Sequence, residues 1–571
     1  MKTKAEPIFL GLLVSIFALV PAEAAEPNPA ATAANAVAAN QVASGLHELN
    51  SSVRVVSGAD WLSSAYAKRG GSLADLLERA AAETNAAAAA EAVQQAARDS
   101  GYYLAKVEED GNGGFKADPG TFGAVSVAFG TNAVPEGRWW SASQISNKLV
   151  RAGVREGAPF DYVRLYRAFY DLNANPDLTA NVKLTKDRDD KTRSLGVHMD
   201  IKESMPLHAI LGIDNYGTES SGDWMGRATL QYLNLWKADH ALTVNGLSAL
   251  DGSLYGAAGS YFVPFHAGRR DASFTVHGGY TKVDTDDVVP NIDVEGDGRF
   301  VGAQASVELL PSLADSLRLA VGLTYREVSD NLVIHDNGTE SPLNENKVDV
   351  LPLSIALLYT ERDLDGWMGR NYATVELVRN VGGSSDGEFH RQRQAADKDY
   401  WLAHMQLARI QTVGGSFDEE KDEWSGRSMV FAKVDAQIAN GALVSAEQMG
   451  VGGANSVRGY KEREFLGDNA VTGTLEYRTP LLLGGIGSLM GRKTSDRLQF
   501  VAFLDGGWIG IEDALAGEDD SRFIASVGLG ARAAWGENAL LRLDWGLPLK
   551  DTDESETSDG GRIHVSVQAQ F

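Results

Sequence analysis

The feature that most constrains this chain is a strict two-residue alternation of apolar and polar side chains in its C-terminal part. Near the C-terminus, for example, Ile563, Val565 and Val567 share one face of a predicted strand, and His564 and Ser566 lie on the other. Segments of about ten residues with one apolar and one polar face are typical of membrane β-barrels with a wet interior. A soluble β-sandwich gives the same alternation, so one segment alone leaves both folds open.

The number of such segments separates the two folds. An even number of strands is expected of a closed antiparallel barrel whose two chain ends lie on the same side of the membrane. We therefore predict an all-β membrane barrel of 16 antiparallel strands over residues 204–571. The predicted strands are 206–214, 224–236, 239–249, 253–264, 271–283, 297–309, 314–328, 347–359, 371–379, 400–412, 427–438, 470–480, 496–505, 521–534, 538–549 and 562–571.

The N-terminus has the pattern of a secretory signal peptide. Lys2 and Lys4 precede an apolar run over residues 8–20, and Ala22-Glu23-Ala24 supplies a small-x-small cleavage site. We predict a signal peptide over residues 1–24. A membrane helix is the alternative, but the run is shorter than the roughly 20 residues that a span requires. The chain has no cysteine, which excludes disulfides and cysteine-based metal or nucleophile chemistry.

The charge of the chain bears on its partners. The formal net charge is −25, and a strongly acidic chain is repelled by the phosphate backbone, so we expect no nucleic-acid partner. Acidic residues concentrate in runs such as Asp284–Asp297, between the alternating segments. We expect these runs to be solvated loops.

Residues 25–203 have a different organisation. Residues 25–50 are rich in Ala, Asn and Pro and are predicted to be a linker. Two β-α-α-β-β units are predicted after it, at 51–135 and 136–203, so two small α+β domains precede the barrel. Thr121–Phe129 is assigned as the last strand of the first unit, and Asp161 is expected to cap a helix of the second.

A long segment between the eleventh and twelfth predicted strands carries a family resemblance. It closely resembles the two-partner secretion transporters of the haemolysin-activator type, in the superfamily of the barrel-assembly protein BamA. The resemblance rests on a V-R-G-Y tip formed by Val457, Arg458, Gly459 and Tyr460, on an F-x-D-x-G motif at Phe503, Asp505 and Gly507, on Gly467-Asp468 and Glu476-Tyr477-Arg478, and on residues 157–176 and 211–236.

The resemblance implies an architecture and a function. The two N-terminal units would be periplasmic POTRA domains, residues 25–50 a linker or short plug helix, and residues 449–469 an inward loop. Phe571 would be a C-terminal assembly signal read by the barrel-assembly machinery. The protein would be a monomer in outer-membrane lipid. It would recognise an unfolded partner, such as a large adhesin or haemolysin, through its POTRA domains and export it to the cell surface or medium.

Other functions fit less well. An assembly or insertion factor of the BamA/TamA kind would use the same loop motif, but two POTRA domains and the Glu476-Tyr477-Arg478 context favour export. A passive porin would lack POTRA domains. Gly383–Gly387 matches the G-x-S-x-G nucleophile pattern, but we expect a polar loop there instead of the strand-turn-helix setting. No enzyme activity, metal site or cofactor is predicted.

One contact is predicted inside the barrel. An arginine in the lumen is costly unless it is paired, and a guanidinium binds a carboxylate in bidentate fashion. Asp505 lies on the polar face of its predicted strand, and Gly506 and Gly507 leave room beside it. Family resemblance, together with this register, suggests that Arg458 pairs with Asp505 and fixes the loop to the inner wall.

Overall fold

The computed structural model of the protein describes most of the chain from Arg54 onward. The regions predicted as signal peptide and linker, 1–24 and 25–50, lie outside the described residues. None of the helices in the described part of the chain has the length and apolar content that a membrane span requires. The described residues are 54–57, 61–62, 83, 85–109, 114–130, 133–186, 193–218, 222–268, 270–289, 292–311, 315–336, 339–361, 365, 367–418, 423–483, 496–514, 519–536, 538–552 and 560–571.

The chain separates into two compact units. We call the first the N-terminal unit; its described residues precede Leu207 and include Asn234–Ala238. The second, the barrel unit, contains Leu207–Leu233 and Asp239–Phe571.

The N-terminal unit contains a first three-stranded sheet with one long helix. Its elements are β1 Arg54–Ser57, α1 Ala86–Asp99, β2 Lys106–Glu109 and β3 Gly114–Asp118. The strand order is β1-β3-β2, with β1 and β3 parallel and β2 antiparallel to β3. Helix α1 is made largely of alanine, and it buries one face against this sheet.

A second three-stranded sheet follows, with two helices. Its elements are β4 Thr121–Phe129, α2 Ala142–Arg151, α3 Tyr162–Asn173, β5 Leu178–Lys186 and β6 Ser194–Glu203. The strand order is β4-β6-β5, with β4 and β6 parallel and β5 antiparallel to β6. The two helices and the last two strands predicted for this unit are confirmed, but its first strand is β4.

The assignment of Thr121–Phe129 to the first unit is wrong. This strand pairs with β6 of the second sheet, and the last strand of the first sheet is β3. The reason is packing: Phe122 and Phe129 are buried in the core that contains Trp140 and Ile145. The N-cap prediction for Asp161 is confirmed, since its carboxylate accepts the Val163 and Arg164 N–H groups.

The barrel unit is a closed antiparallel sheet. All its strands except the short hairpins β17–β18 and β20–β21 join the barrel, and β22 and β23 both pair with β24 as one interrupted strand, so the prediction of sixteen is confirmed. Its elements are β7 Leu207–Asp214, β8 Met225–Leu235, β9 His240–Ala249, β10 Leu254–Ala267, β11 Arg270–Val289, β12 Ile292–Pro311, β13 Asp315–Asp336, β14 Thr339–Glu361, β15 Gly369–Gly383, α4 Asp386–Gln392, β16 Trp401–Val413, β17 Ser416–Asp418, β18 Glu423–Ser425, β19 Ser428–Ala439, β20 Met449–Val451, β21 Phe465–Gly467, β22 Asn469–Arg478, β23 Leu482–Leu483, β24 Arg497–Gly510, β25 Ser521–Trp535, β26 Ala539–Pro548 and β27 Arg562–Gln570.

The two faces of the barrel wall differ as the alternation predicts. On β24, for instance, Phe500, Leu504 and Trp508 point outward and are exposed, whereas Gln499 and Asp505 point inward and are buried. The barrel therefore presents an apolar outer face and encloses a polar lumen. We call the end at which β7 begins the near end, and the opposite end the far end.

Four neighbouring strands, β11 to β14, are longer than the sequence predicts, with 20, 20, 22 and 23 residues. The expectation that Asp284–Asp297 forms a loop is wrong for most of that run. Its backbone continues the β11–β12 ladder, with Asp284 opposite Glu295 and Lys282 opposite Asp297. Charged residues can extend a strand pair where the strands project into water, and there the apolar alternation no longer marks the strand.

Candidate functional site

The chain between β19 and β22, residues 440–468, folds inward from the far end; we call it the inward loop. Its stem is the short hairpin of β20 and β21. Its tip, the four residues of the V-R-G-Y motif, is completely or almost completely buried against the lumen wall. The tip residues are Val457, Arg458, Gly459 and Tyr460.

Arg458 is the most extensively bonded residue of the tip. Its Nε and Nη2 donate to the two carboxylate oxygens of Asp505 at 2.7 and 2.8 Å, and its backbone N–H also donates to Asp505 at 3.1 Å. Its Nη1 donates to Glu476 at 2.5 Å and lies 3.8 Å from an Asp544 oxygen. The structure thus brings Arg458 and Asp505 together, and adds Glu476 of the Glu476-Tyr477-Arg478 motif and Asp544, which the sequence did not single out.

Each named residue of the F-x-D-x-G motif contacts the tip in a different way. The guanidinium of Arg458 lies over the Phe503 ring, 3.5 Å from its centroid, in a cation–π arrangement. Asp505 pairs with Arg458. At Gly507, a Cβ atom would overlap Val451 and lie 2.9 Å from Val457, so glycine leaves the space that the loop occupies.

Gly459 brings the backbone of the tip against the wall. Its φ of +97° favours glycine, and a Cβ here would lie 2.9 Å from the carbonyl group of Gly546 on β26. The Gly459 N–H donates to Nε2 of His564 at 3.0 Å. His564 was expected to face the lumen and does so, but the sequence did not connect it to the loop.

Val457 and Tyr460 fix the remaining sides of the tip. Val457 packs in an apolar cluster with Val451 and Ile509. The Tyr460 hydroxyl lies within hydrogen-bond distance of the carbonyl oxygens of Ala525 and Lys550, at 2.9 and 2.7 Å. The tip therefore combines a buried ion pair, an apolar contact and backbone hydrogen bonds.

The wall around the tip is a charge network. Asp544 is fully buried and accepts from Arg532 and Arg542 at 2.7 to 3.0 Å, and Arg478 donates to Glu476 at 2.9 Å. With Arg458 and Asp505, four arginines meet three carboxylates here. Such a network is stable only while its members stay paired, because each would be costly if left alone in a desolvated site.

The root of the inward loop has a second anchor at Asp468, of the Gly467-Asp468 motif. Arg393 donates to its two oxygens at 2.5 and 2.9 Å. The backbone N–H groups of Leu443 and Glu512 donate to it at 2.8 Å. Asp468 thus joins the inward loop to the segment that contains α4.

That segment, residues 384–400, forms an apolar core with the inward loop at the far end of the otherwise polar lumen. Phe389, Tyr400, Leu443 and Val444 are at most 1% exposed, and they pack with Val348 on β14. We call residues 384–400 the far-end cap. The pair of Arg393 and Asp468 holds the cap to the root of the inward loop.

Replacing Arg393 by alanine is expected to loosen the far-end cap while the tip stays bound. Hydrogen bonds to a charged group contribute about 1.5–3 kcal/mol, and Asp468 keeps its backbone donors. On whole cells, residues 384–400 should become several-fold more sensitive to added protease, with the tip still protected. Arg391→Ala is the control, because Arg391 is exposed and lies 3.9 Å from Glu388. Equal protease sensitivity in both variants would contradict this role for Arg393.

The other predicted positions have simpler surroundings. Phe571 exchanges two backbone hydrogen bonds with Ala209 on β7, and its side chain is exposed.

The expectation of a loop at Gly383–Gly387 is wrong: β15 ends at Gly383 and α4 begins at Asp386. The hydroxyl and N–H of Ser385 both donate to Glu388 of α4. In the described residues, no group of three or more His, Asp or Glu side chains could hold a metal.

Comparisons with known proteins agree with this geometry. The profile described as Haemolysin secretion/activation protein ShlB/FhaC/HecB matches residues 196–347, and the Omp85 superfamily domain matches residues 409–571. No curated protein gives a significant sequence match.

Solved structures show the same fold. CdiB from Escherichia coli is 18% identical, with a TM-score of 0.69 over 93% of each chain. CdiB from Acinetobacter baumannii is 15% identical, with a TM-score of 0.61 over 85% of this chain and 82% of the other.

The fold and the site are those of an outer-membrane β-barrel similar to the Omp85 superfamily, with N-terminal POTRA domains in the periplasm. Within that superfamily, the chain fits the two-partner secretion transporters of the ShlB/FhaC/HecB type. Because the N-terminal unit leads into β7, the near end of the barrel is periplasmic and the far end faces the cell exterior.

Proposed function

We propose that this protein exports one large partner polypeptide, which its POTRA domains bind unfolded in the periplasm and which crosses the barrel lumen. The partner is an exoprotein such as an adhesin or a haemolysin. The observation that carries the proposal is the ShlB/FhaC/HecB match at the start of the barrel. The inward loop, anchored through Arg458 in a closed polar lumen, agrees with it.

The POTRA sheets offer a means of binding an unfolded chain. Strands β2 and β5 are the antiparallel edges of their sheets, and an extended peptide can add to such an edge through backbone hydrogen bonds. This mode requires little of the peptide's side chains, which suits a partner that has not yet folded.

The remaining partners are those expected of a barrel in the outer membrane. The barrel works as a monomer, its exposed outer face contacts outer-membrane lipid, and the barrel-assembly machinery inserts it by reading Phe571. The protein acts as a pore and has no enzyme activity. Ser385 is used as a helix-capping residue, which supports this view of the G-x-S-x-G match.

A deletion strain tests the proposal. Proteins in the medium and in the outer membrane are quantified in wild type, in the deletion strain and after complementation with the wild-type gene or with Arg458→Ala. We expect one large polypeptide to disappear from the medium, to return with the wild-type gene only, and other barrels to stay at normal levels. If many outer-membrane barrels fall together, the protein is an assembly factor of the BamA/TamA kind and the proposal is wrong.

A further inference from the structure

The barrel closes between its last strand, β27, and its first, β7. These two strands share five register pairs, from Ser566 opposite Asp214 to Gln570 opposite Ile210. Their other neighbours pair more extensively, with eight register pairs each for β26–β27 and β7–β8. One further backbone hydrogen bond, from the Asn215 N–H to the Val565 carbonyl at 3.1 Å, extends this pairing toward the far end, and no backbone bond between the two strands follows it in the described residues.

Toward the far end, side chains continue the seam. The Asn215 side chain donates to the Ile563 carbonyl and accepts from the Val565 N–H, each at 2.7 Å. The ring of Tyr216 meets the ring of His564 edge-on, with centroids 6.2 Å apart. Beyond the backbone bond from Asn215 to Val565, this half of the seam depends on a few side chains, and His564 is one of them.

His564 is also the point where the inward loop reaches the seam. Its side chain is fully buried, and Nε2 accepts the Gly459 N–H. For Nε2 to accept, the neutral ring carries its proton on Nδ1, and Nδ1 has no hydrogen-bond partner among the described residues. Within the described part of the chain, the tip is thus the only hydrogen-bond partner of the ring.

The tip as a whole contacts five consecutive barrel strands. In order around the wall these contacts are Glu476 on β22, Asp505 on β24, Ala525 on β25, Gly546 on β26 and His564 on β27. His564 is the last of them and lies beside the seam. We propose that His564 is a positioning residue, which ties the last barrel strand to the loop tip and thereby keeps the far half of the closing seam shut.

This role would couple release of the tip to opening of the seam. Once the tip left His564, the far half of the seam would be held by the contacts of Asn215 and by the exposed pair of Arg562 and Asp223. This inference concerns barrel closure and does not depend on which protein is exported. The Arg458 anchor can stay intact while the His564 contact is lost, so the two can be tested separately.

Backbone hydrogen exchange of the full-length protein in lipid nanodiscs tests the proposal, because local opening speeds exchange at the opened strand. In His564→Leu, residues 562–566 should exchange at least about tenfold faster than in wild type, with β9 unchanged. His564→Gln keeps an acceptor near the Nε2 position and should stay within about twofold of wild type. His277→Leu, a lumen-facing histidine on β11, is the control.

Two results would overturn the proposal: exchange in His564→Leu that matches wild type, or exchange in His564→Gln as fast as in His564→Leu. The second would mean that ring packing, and not the acceptor, holds the strand. If His564→Leu does not fold, His564→Asn replaces it, since its shorter side chain does not reach Gly459. Export of the partner is measured separately, so failure of the export function would leave the exchange result interpretable.

Discussion

Replacing Arg458 by alanine is expected to free the inward loop from the lumen wall. The change removes the partner of Asp505 and one partner of Glu476, both buried, and uncovers the Phe503 ring. Breaking a buried ion pair by removing one member costs about 3–5 kcal/mol, because the other charge stays desolvated. The tip is covalently connected only to the rest of the inward loop, so it can leave the wall without unfolding a barrel strand. We therefore expect the substitution mainly to release the tip.

Limited proteolysis of the purified protein, followed by mass spectrometry of the cleavage sites, measures the release. Cleavage within residues 449–467 should be at least about a hundredfold faster in Arg458→Ala, which corresponds to a loss of about 3 kcal/mol. Arg458→Lys should restore little, because an ammonium group cannot pair with Asp505 in bidentate fashion and reach Glu476 as well.

The matched control is Arg299→Ala. Arg299 also lies on a barrel strand and pairs with a carboxylate, Glu327, but its side chain is 59% exposed. Exposed ion pairs contribute at most about 1 kcal/mol, so cleavage of the inward loop should stay at the wild-type rate. Wild-type protection in Arg458→Ala would show that the apolar contacts of Val457 and Tyr460 hold the tip without the ion pair.

The barrel itself could be predicted from sequence because its signal is local. In each strand, the alternation of apolar and polar residues identifies the outward and inward faces within about ten residues. The sixteen predicted segments all lie within or close to observed strands. Their ends could not be predicted for β11 to β14. There the strands continue through an acidic region such as Asp284–Asp297, where no apolar face is needed.

The N-terminal unit shows the opposite limit. Alternation in Thr121–Phe129 correctly predicts a strand, but a strand pattern does not state which sheet it joins. That choice depends on Phe122 and Phe129 packing with Trp140 and Ile145, which come later in the chain. The strand that completes the first sheet is β3, which has only five residues.

The contacts of the loop tip could likewise be predicted only in part. The pair of Arg458 and Asp505 was predicted on the strength of the family resemblance, and spacing alone would not have found it. Asp544, Gly546 and His564 did not, although alternation marks them as inward-facing. His564 is 105 residues from Gly459 in the chain, and only the closure and shear of the barrel bring β26 and β27 under the tip. A single sequence contains no signal for that shear.

Replacing Gly546 by alanine is expected to displace the tip without changing any charged residue. Gly546 has no positive φ, so alanine can adopt its backbone conformation. The new Cβ, however, would lie 2.5 Å from the Gly459 nitrogen and 2.7 Å from the Arg458 carbonyl carbon. Both are backbone atoms that cannot rotate away, so the tip must move, and such overpacking costs about 1–3 kcal/mol.

The same proteolysis assay measures the effect, and Gly246→Ala is the control. Gly246 also lies within a barrel strand, and a Cβ there would meet no heavy atom within 4 Å, so we expect wild-type protection. Gly546→Ala should speed cleavage of the inward loop by about 5- to 150-fold, since every 1.4 kcal/mol is tenfold. Because all the charges remain, this increase would show that close backbone contact contributes to anchoring beside the Arg458 network; equal cleavage in both variants would assign the anchor to that network alone.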